Sequence, residues 1–279
     1  MSNEIKEKIY RIFDEILKEE IYKIEKNEDS SDGNVYIINC KFNKYVVKIY
    51  KNKKHTKSMV MLHQRLFQLN INVPNIIYNN INEDDEEYIV IYSYIKGIQI
   101  TDILQNGKVD KKIISYISKK VRKMHDVTCG KNEFDIPEHP FETLNKRKTL
   151  LHFDLTKSNI ILDENNYIAI IDFDDAKYGS AVYDISILIS TFFFSKKRGI
   201  DIEGMNKFID EYYGEDEILK EDEVPLIKKC AIQWINYLLE ENKISESLIN
   251  TFNSKIKLIN EIMNYKFWQT FIKILNAKE

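Results

Sequence analysis

The sequence has few cysteines, no excess of basic residues and no long hydrophobic run. Its three cysteines, Cys40, Cys129 and Cys230, lack the spacing of metal ligands, and their odd number argues against a disulfide framework. We expect reduced thiols that are mostly buried. The formal net charge of -3 provides no positive field that would attract phosphate backbones, so we expect no nucleic-acid partner.

The apolar segments are too short to cross a membrane. The longest of them, "ISILIS" followed by "TFFF", falls short of the roughly 20 residues that a spanning helix needs. The amino-terminal stretch "MSNEIKEKIY" has no apolar signal-peptide core. We therefore expect a cytoplasmic monomer without membrane attachment. Its 279 residues, 43% of them hydrophobic, suffice for one large core or for two lobes that share a cleft.

The first hundred residues predict a small antiparallel sheet. Apolar residues at helical spacing over 4–18 predict an amphipathic helix at the start of the chain. The β-branched and aromatic runs "NVYIIN", "NKYVVKIY" and "EYIVIY" predict strands, and "SMVMLHQRLFQL" predicts a helix before the third of them. The order strand, strand, helix, strand is typical of a small antiparallel sheet that carries one helix.

Helical periodicity dominates from Thr101 onward. The segment "KKIISYISKKVRKMHD" has one apolar stripe, and the region after Asp184 is almost entirely helix-periodic. Between these regions, "NIIL" and "YIAIID" predict two short strands that the turn "DENN" joins into a hairpin.

Polar residues that could take part in catalysis or metal binding lie at the ends of this hairpin. His152, Asp154 and Asn159 spell HxDxxxxN before the first strand, and Asp172 follows the second strand within "IDFD". A hairpin would return the chain and set Asn159 and Asp172 beside one ion, and an amide with a carboxylate suits Mg²⁺. Asp154 would then face an acceptor. This arrangement indicates phosphoryl transfer, which needs positioning, a metal and a carboxylate to take the acceptor's proton.

The stretch "LHFDLTKSNIILDENNYIAIIDFDDAKYGSAVYDIS" resembles the aminoglycoside phosphotransferase and choline kinase family. In that family the pattern runs H-G-D, four residues, N, then I-D-F-D and a later Y-D, a variant of the kinase catalytic loop. The segments "KMHD", "NVPNII" and "YSYIKG" also fit it. The resemblance implies an α+β, bilobal, protein-kinase-like fold. It implies a nucleotide-binding amino lobe, residues 1–95, with a small antiparallel sheet, and a mostly helical catalytic and acceptor-binding carboxyl lobe, residues 96–279.

The resemblance also implies roles for individual residues. Asp154 becomes the catalytic base with His152 beside it, Asn159 and Asp172 become Mg²⁺ ligands, and Lys48 becomes the phosphate-binding lysine. A lysine flanked by apolar strand residues favours an anionic partner, and an edge-strand lysine that faces water is the alternative. The implied nucleotide site further includes Ser31 and Gly33 of the loop "SSDGNVY". It also includes Tyr92, Ser93, Tyr94 and Ile95 of "YSYIKG", the segment that resembles the hinge of the family.

Other polar residues have simpler interpretations. We expect His152 to orient the catalytic loop by hydrogen bonds rather than to transfer a proton. His125 is expected to be a packing residue, and Asp184 is expected to anchor the loop. By the hinge alignment Tyr92 takes the gatekeeper position, where a large aromatic residue in the resembling aminoglycoside kinases favours guanine over adenine. Packing of Tyr92 in the core is the alternative.

Two features depart from the family pattern. Phe153 replaces the glycine of H-G-D. In addition, the segment 51–80 contains neither aspartate nor glutamate, so the helix glutamate that pairs with the strand lysine in active kinases is missing. His63 or Gln64 are the candidate replacements.

The resemblance implies a small-molecule kinase that uses Mg²⁺ and ATP or GTP. The acceptor would be a hydroxyl group of an aminoglycoside-like or other amine-bearing molecule. A metabolic kinase of the choline, homoserine or thiamine type is one alternative, and a kinase-like binding protein without catalysis is another. Retention of Asp154, Asn159 and Asp172 together argues against the last. The short segment between His125 and His152 predicts an acceptor pocket that is small or unusually open.

Overall fold

The computed structural model divides the chain into two compact units, Met1–Lys96 and Gly97–Glu279. Among the residues that it describes, no helix is both long and apolar enough to span a membrane. The described residues are 1–27, 34–83, 85–105, 109–130, 132–139, 148–195, 199–214, 224–240, 249, 250, 253, 256, 257 and 259.

The amino-terminal unit contains a five-stranded sheet in which every neighbouring pair is antiparallel. The spatial order of the strands is β1-β2-β3-β5-β4, so β3, which carries Lys48, lies at the centre. The strands are β1 (Ile21–Lys26), β2 (Val35–Cys40), β3 (Lys44–Tyr50), β4 (Ile76–Asn79) and β5 (Tyr88–Ser93).

Helical segments pack against both faces of this sheet. Helix α1 (Asn3–Arg11) continues as a π-helical segment, Ile12–Leu17, and its apolar residues share a buried cluster with Val47 of β3. Helix α2 (Lys53–Gln68) contributes Val60 to a second cluster. The residues of β3 and β5 in this cluster are even-numbered, whereas those in the first cluster are odd-numbered. Because successive strand residues point to opposite faces, the two clusters lie on opposite sides of the sheet.

The sequence predicted the central part of this unit and missed its edges. The three predicted strands are β2, β3 and β5, and the predicted helix is α2. This helix begins at Lys53, after its Asn52 cap, which is five residues before the apolar pattern begins at Ser58. The edge strands β1 and β4 were not predicted. Neither contains a fully buried residue; charged side chains interrupt the apolar residues of β1, and β4 has only four residues, so both give a weaker strand pattern than the central strands.

The carboxyl-terminal unit is mostly helical. Its short strands form three separate sheets, with the orders β6-β8-β9, β10-β7 and β11-β12. The helices are α3 (Ile100–Gln105), α4 (Lys111–Val127), α5 (Val182–Phe192), α6 (Ile202–Tyr213) and α7 (Val224–Glu240). The strands are β6 (Gly97–Gln99), β7 (Lys148–Leu151), β8 (Ile160–Asp163), β9 (Ile168–Ile170), β10 (Lys177–Ser180), β11 (Phe194–Ser195) and β12 (Gly199–Ile200).

Helix α5 lies at the centre of this unit. All of its residues are buried, and it packs against α7, while α4 packs against α6. The predicted hairpin is present as β8 and β9, joined antiparallel with Ile160 opposite Ile170. At its side, β6 approaches so closely that a Cβ on Gly97 would lie 2.3 Å from the Leu162 carbonyl oxygen. Only glycine fits there.

The prediction about the cysteines is wrong in one respect. All three thiols are free, but only Cys230 is buried, whereas Cys40 is half-buried and Cys129 is exposed. Burial of a residue as small as cysteine depends on long-range packing, which its local sequence does not specify.

Candidate active site

His152 begins the loop that connects β7 to β8. Its imidazole is fully buried, with Nε2 2.8 Å from the carbonyl oxygen of Ile171, and its Nδ1 accepts the N–H of Asp154 at 3.3 Å. A carbonyl oxygen can only accept, so Nε2 is the donor in this contact. Both nitrogens are therefore used to hold the backbone, which places His152 as an orienting residue.

Asp184, in the first turn of α5, is the anchor of this loop. Its carboxylate is completely buried and accepts the N–H of His152 at 2.7 Å and that of Phe153 at 2.9 Å. His125 of α4 contacts the same carboxylate through Nε2 at 3.2 Å, and its Nδ1 lies 2.7 Å from the Tyr212 hydroxyl of α6. Three donors thus compensate the desolvation of one buried charge.

Asn159 links the loop to the hairpin. Its amide nitrogen donates to the Asp154 carboxylate at 2.8 Å and to the Asp154 carbonyl at 2.9 Å. The Asn159 carbonyl accepts the N–H of Ile171 at 3.0 Å, which brings Asn159 beside the residue that precedes Asp172. The side-chain oxygen of Asn159 remains the atom that can bind a cation.

Burial raises the pKa of Asp154 to about 7. The negative charges of Asp175 and Asp172 act in the same direction, and the hydrogen bond from Asn159 opposes them. A carboxylate with such a pKa is ionised in a substantial fraction of molecules at neutral pH and still binds a proton well. These are the properties of a general base.

The oxygen atoms near Asp154 fit a magnesium ion with few protein ligands. Among the described residues no group of three or more His, Cys, Asp or Glu side chains is arranged to hold a metal, so they contain no cage built from such ligands. Mg²⁺ usually takes one or two protein carboxylates and completes its shell with water and phosphate oxygens. The exposed carboxylate of Asp172 and the amide oxygen of Asn159 suit that mode. A cation there would also offset the clustered negative charge.

Lys48 lies half-buried on the central strand β3, where it is paired with Val35 and Val90. The alternative of an edge-strand lysine is therefore wrong. By strand parity its side chain is on the face that α2 covers. Of the two candidate replacements for the helix glutamate, Gln64 is exposed, whereas His63 is buried on that face.

The hinge residues form well-defined contacts at the end of β5. Tyr92 is only 3% exposed, its ring centroid lies 4.9 Å from that of His63, and its hydroxyl lies 3.4 Å from the Tyr50 hydroxyl. Ser93 exchanges two hydrogen bonds with Asn75, through its N–H at 2.8 Å and its hydroxyl at 2.9 Å.

The other predicted nucleotide-site residues are less buried or not described. The N–H of Tyr94 donates to the Lys44 carbonyl at 3.3 Å, and Ile95 is half-buried. Ser31 and Gly33, the two loop residues that the family pattern implies, lie outside the described residues.

Sequence reasoning missed the contributions of His125 and Tyr212. His125 was expected only to pack, yet both of its ring nitrogens are within hydrogen-bonding distance of polar side chains. Tyr212 is 87 residues from His125 in the sequence, so no local motif could have linked them. The available signals were a histidine at the end of an amphipathic helix and the fit of "KMHD" to the family pattern.

Comparison with known proteins gives a family match over part of the chain. Residues 130–208 match the sequence model of APH, the phosphotransferase enzyme family. This segment contains the HxDxxxxN motif, Asp172 and Asp184. None of the curated protein sequences matches the chain at a significant level.

Solved structures match nearly the whole chain. Choline kinase LicA from Streptococcus pneumoniae has 14% identity and a TM-score of 0.63, covering 93% of this chain and 100% of its own. The GDP complex of aminoglycoside 2'-phosphotransferase-IIIa has 13% identity and a TM-score of 0.65, covering 93% and 98%. The streptomycin–ATP–APH(2")-IIa complex has 15% identity and a TM-score of 0.58, covering 92% and 95%.

The likeness to solved structures extends over nearly the whole chain, whereas the family match is confined to residues 130–208. At identities below 25% the solved structures establish the fold, which is the predicted α+β, protein-kinase-like fold. The resemblance to the aminoglycoside phosphotransferase and choline kinase family is confirmed, with the family match over residues 130–208. The chain thus has the fold of small-molecule phosphotransferases.

Proposed function

We propose that this protein is a small-molecule kinase. It transfers the terminal phosphate of a nucleoside triphosphate to a hydroxyl group of an amine-bearing acceptor. The observation that carries this proposal is the Asp154 carboxylate, whose pKa is raised to about 7 and which Asn159 holds by a 2.8 Å hydrogen bond. A base of this kind beside oxygen ligands for Mg²⁺ matches the needs of phosphoryl transfer.

Each residue has a defined task in this reaction. The acceptor oxygen bonds to the terminal phosphorus, its proton passes to the carboxylate of Asp154, and the nucleoside diphosphate leaves. Asn159 and Asp172 would hold Mg²⁺, which would neutralise charge on the phosphates. Lys48 binds phosphate oxygens, and Asp184 keeps the loop in place through its backbone hydrogen bonds.

The class of acceptor is supported by the proteins that share the fold. One of them is a choline kinase and two are aminoglycoside phosphotransferases, one of these bound to streptomycin and ATP. Choline and streptomycin, which two of these names contain, are both alcohols that carry basic nitrogen groups. By this reasoning an amino alcohol or an aminoglycoside is the first acceptor to test, and homoserine and thiamine follow.

A two-stage screen tests the proposed function. Thermal shift with ATP or GTP and Mg²⁺ identifies the donor, and acceptor-dependent release of nucleoside diphosphate then identifies the substrate. We expect stabilisation by one nucleotide and turnover with an amine-bearing alcohol. Nucleotide binding without turnover on any acceptor would favour the non-catalytic alternative, and no nucleotide binding at all would contradict the proposal.

Replacing Asp172, a proposed metal ligand, allows the effect of Mg²⁺ to be measured separately from nucleotide binding. The variant Asp172→Ala is expected to lose the extra thermal stabilisation that Mg²⁺ gives to the nucleotide complex, because one of two proposed protein ligands is gone. Glu164→Ala, an exposed change in the same hairpin, is the matched control and should behave as the wild type. If the Asp172→Ala variant keeps the full extra stabilisation that Mg²⁺ gives to the wild-type nucleotide complex, Asp172 is not a ligand of the metal.

The choice between ATP and GTP is expected to depend on Tyr92. A bulky residue at the gatekeeper position favours GTP, and Tyr92→Ala should shift the ratio of kcat/KM values toward ATP by about 1–3 kcal/mol. Tyr92→Phe keeps the ring beside His63 and should preserve the preference. Because the side chain is buried, melting temperatures are compared first. If the ratio of kcat/KM values for GTP and ATP is unchanged in a folded Tyr92→Ala variant, Tyr92 packs in the core and does not select the nucleotide.

We also expect a preference for small acceptors. The segment between His125 and His152 is short, and residues 140–147 of it lie outside the described residues. A short segment can contribute only a few residues to the lining of the acceptor pocket. Choline-sized alcohols should therefore give higher kcat/KM values than multi-ring aminoglycosides. Steady-state kinetics with both classes measure these kcat/KM values, and isothermal titration measures the affinities. Tight, saturable binding of a multi-ring aminoglycoside would contradict a small pocket.

A further inference from the structure

Phe153 has an unusual backbone conformation for its residue type. Its φ is 65°, in the left-handed region, where a bulky side chain is strained and must be held by its surroundings. One restraint is the 2.9 Å hydrogen bond from its N–H to Asp184. The next residue is Asp154, so the conformation of Phe153 directs the proposed base.

A second restraint acts on the Phe153 side chain. The His139 ring packs between two aromatic rings, with centroid distances of 4.8 Å to Phe153 and 3.9 Å to Tyr183. The Phe153 and Tyr183 centroids are 6.2 Å apart, and all three side chains are buried. Tyr183 directly precedes Asp184 in the first turn of α5. This turn therefore supports Phe153 twice: Asp184 holds its backbone N–H, and Tyr183 supports its ring through His139.

His139 is itself fixed by the segment 132–139, which lies along β10. The N–H of His139 donates to the Tyr178 carbonyl at 2.9 Å, and the N–H of Tyr178 donates to the Pro137 carbonyl at 3.0 Å. Gly179 leaves space for this approach, because a Cβ there would lie 3.1 Å from the Cβ of His139. The position of the imidazole is thus set by backbone pairing.

The imidazole is uncharged at neutral pH. Burial lowers the pKa of His139 to about 4, the charge of Lys177 lowers it further, and Asp184 opposes them. The uncharged ring is tilted by 51° against Phe153 and by 42° against Tyr183. Attraction between aromatic rings in such close contact adds to the area that they bury, and it opposes the strain of a non-glycine residue in the left-handed region.

We propose that His139 is a positioning residue for the catalytic loop. Its ring, clamped between Phe153 and Tyr183, holds Phe153 in the left-handed conformation and so sets the direction of the Asp154 carboxylate. The family pattern has glycine at the position of Phe153, and glycine adopts this conformation without support. In this chain the contacts of the His139 ring with Phe153 and Tyr183 take over that role. The effect on turnover rests on the proposed kinase function.

Turnover and hydrogen exchange test this proposal together. His139→Ala should lower kcat by about 10-fold or more, with little change in the KM for the nucleotide, because a misplaced base slows chemistry rather than binding. His139→Phe keeps an aromatic ring and should restore most of kcat. Glu138→Gln removes an exposed ion pair with Lys148 in the same segment and is the matched control. Melting temperatures separate loss of turnover from unfolding.

A double-mutant cycle isolates the contact with Phe153. In a Phe153→Gly background the ring is gone and the backbone needs no support, so adding His139→Ala should cause little further loss. The proposal is overturned if His139→Ala keeps kcat within twofold of the wild type. It is also overturned if the loss is as large in the Phe153→Gly background.

Amide exchange distinguishes this proposal from the kinase function. His139→Ala should speed exchange of the backbone amides of 152–154, and His139→Phe should not. Absence of turnover in the wild type would contradict the kinase function, and exchange would then decide the role of His139. Unchanged exchange in His139→Ala would overturn the positioning role whether or not the wild type is active.

Discussion

The variant Asp154→Asn is expected to lower turnover by about 10²-fold or more while nucleotide binding persists. Asparagine has nearly the shape of aspartate and can still accept the hydrogen bond that Asn159 donates at 2.8 Å. It cannot take the proton of the acceptor hydroxyl. Steady-state kcat and the nucleotide Kd of both proteins measure the effect.

The pH dependence of turnover provides an independent check on the base. Only the ionised carboxylate accepts a proton, and the pKa of Asp154 is raised to about 7, so activity should fall as the pH is lowered through that region. A bound cation favours the ionised form and moves the midpoint to lower pH. Asp175→Asn removes a charge that raises this pKa, so it should move the midpoint the same way. Turnover of Asp154→Asn within a factor of a few of the wild type would remove Asp154 from the role of base.

The variant Asp184→Ala is expected to destabilise the protein by about 3–5 kcal/mol, a typical cost of removing one partner from a buried charged network. It would leave the backbone N–H groups of His152 and Phe153 without their 2.7 and 2.9 Å acceptors. The contact of His125 with the same carboxylate would also be lost. Urea denaturation measures the free energy of unfolding, and kcat should fall as well because the loop loses its anchor.

A surface aspartate on the neighbouring helix is the matched control. Asp126 forms an exposed i,i+4 ion pair with Arg122 at 2.8 Å, and such pairs contribute about 0–1 kcal/mol. Asp126→Ala should therefore change the free energy of unfolding by less than about 1 kcal/mol. If Asp184→Ala costs no more than this control, the buried carboxylate does not stabilise the loop.

Much of the fold could be predicted because its signals are local. The hairpin β8–β9, helix α4 and the central strands have strong apolar patterns over a few residues, and each was found. The edge strand β1 was missed because its residues are partly or fully exposed, with charged side chains between the apolar ones. The π-helical turn at Ile12–Leu17 was predicted as ordinary helix, since both have a similar apolar periodicity.

The sequence by itself determined the chemical identity of the candidate site. The spacing of His152, Asp154 and Asn159 places them in one short loop, and a hairpin of two short strands is enough to return the chain to Asp172. These relations depend on contacts between residues close in sequence. Turn residues and apolar alternation specify such contacts directly.

Only the tertiary structure decided how that loop is held and how the pKa of Asp154, the proposed base, is raised. The pKa of Asp154 depends first on its burial, and the contact of His125 with Tyr212 joins residues 87 positions apart. The support of Phe153 by His139 likewise requires β10 and α5 to bring separate segments together. Burial and long-range contacts are properties of the packed chain. No local pattern of residues specifies them, because each depends on elements that approach only after folding.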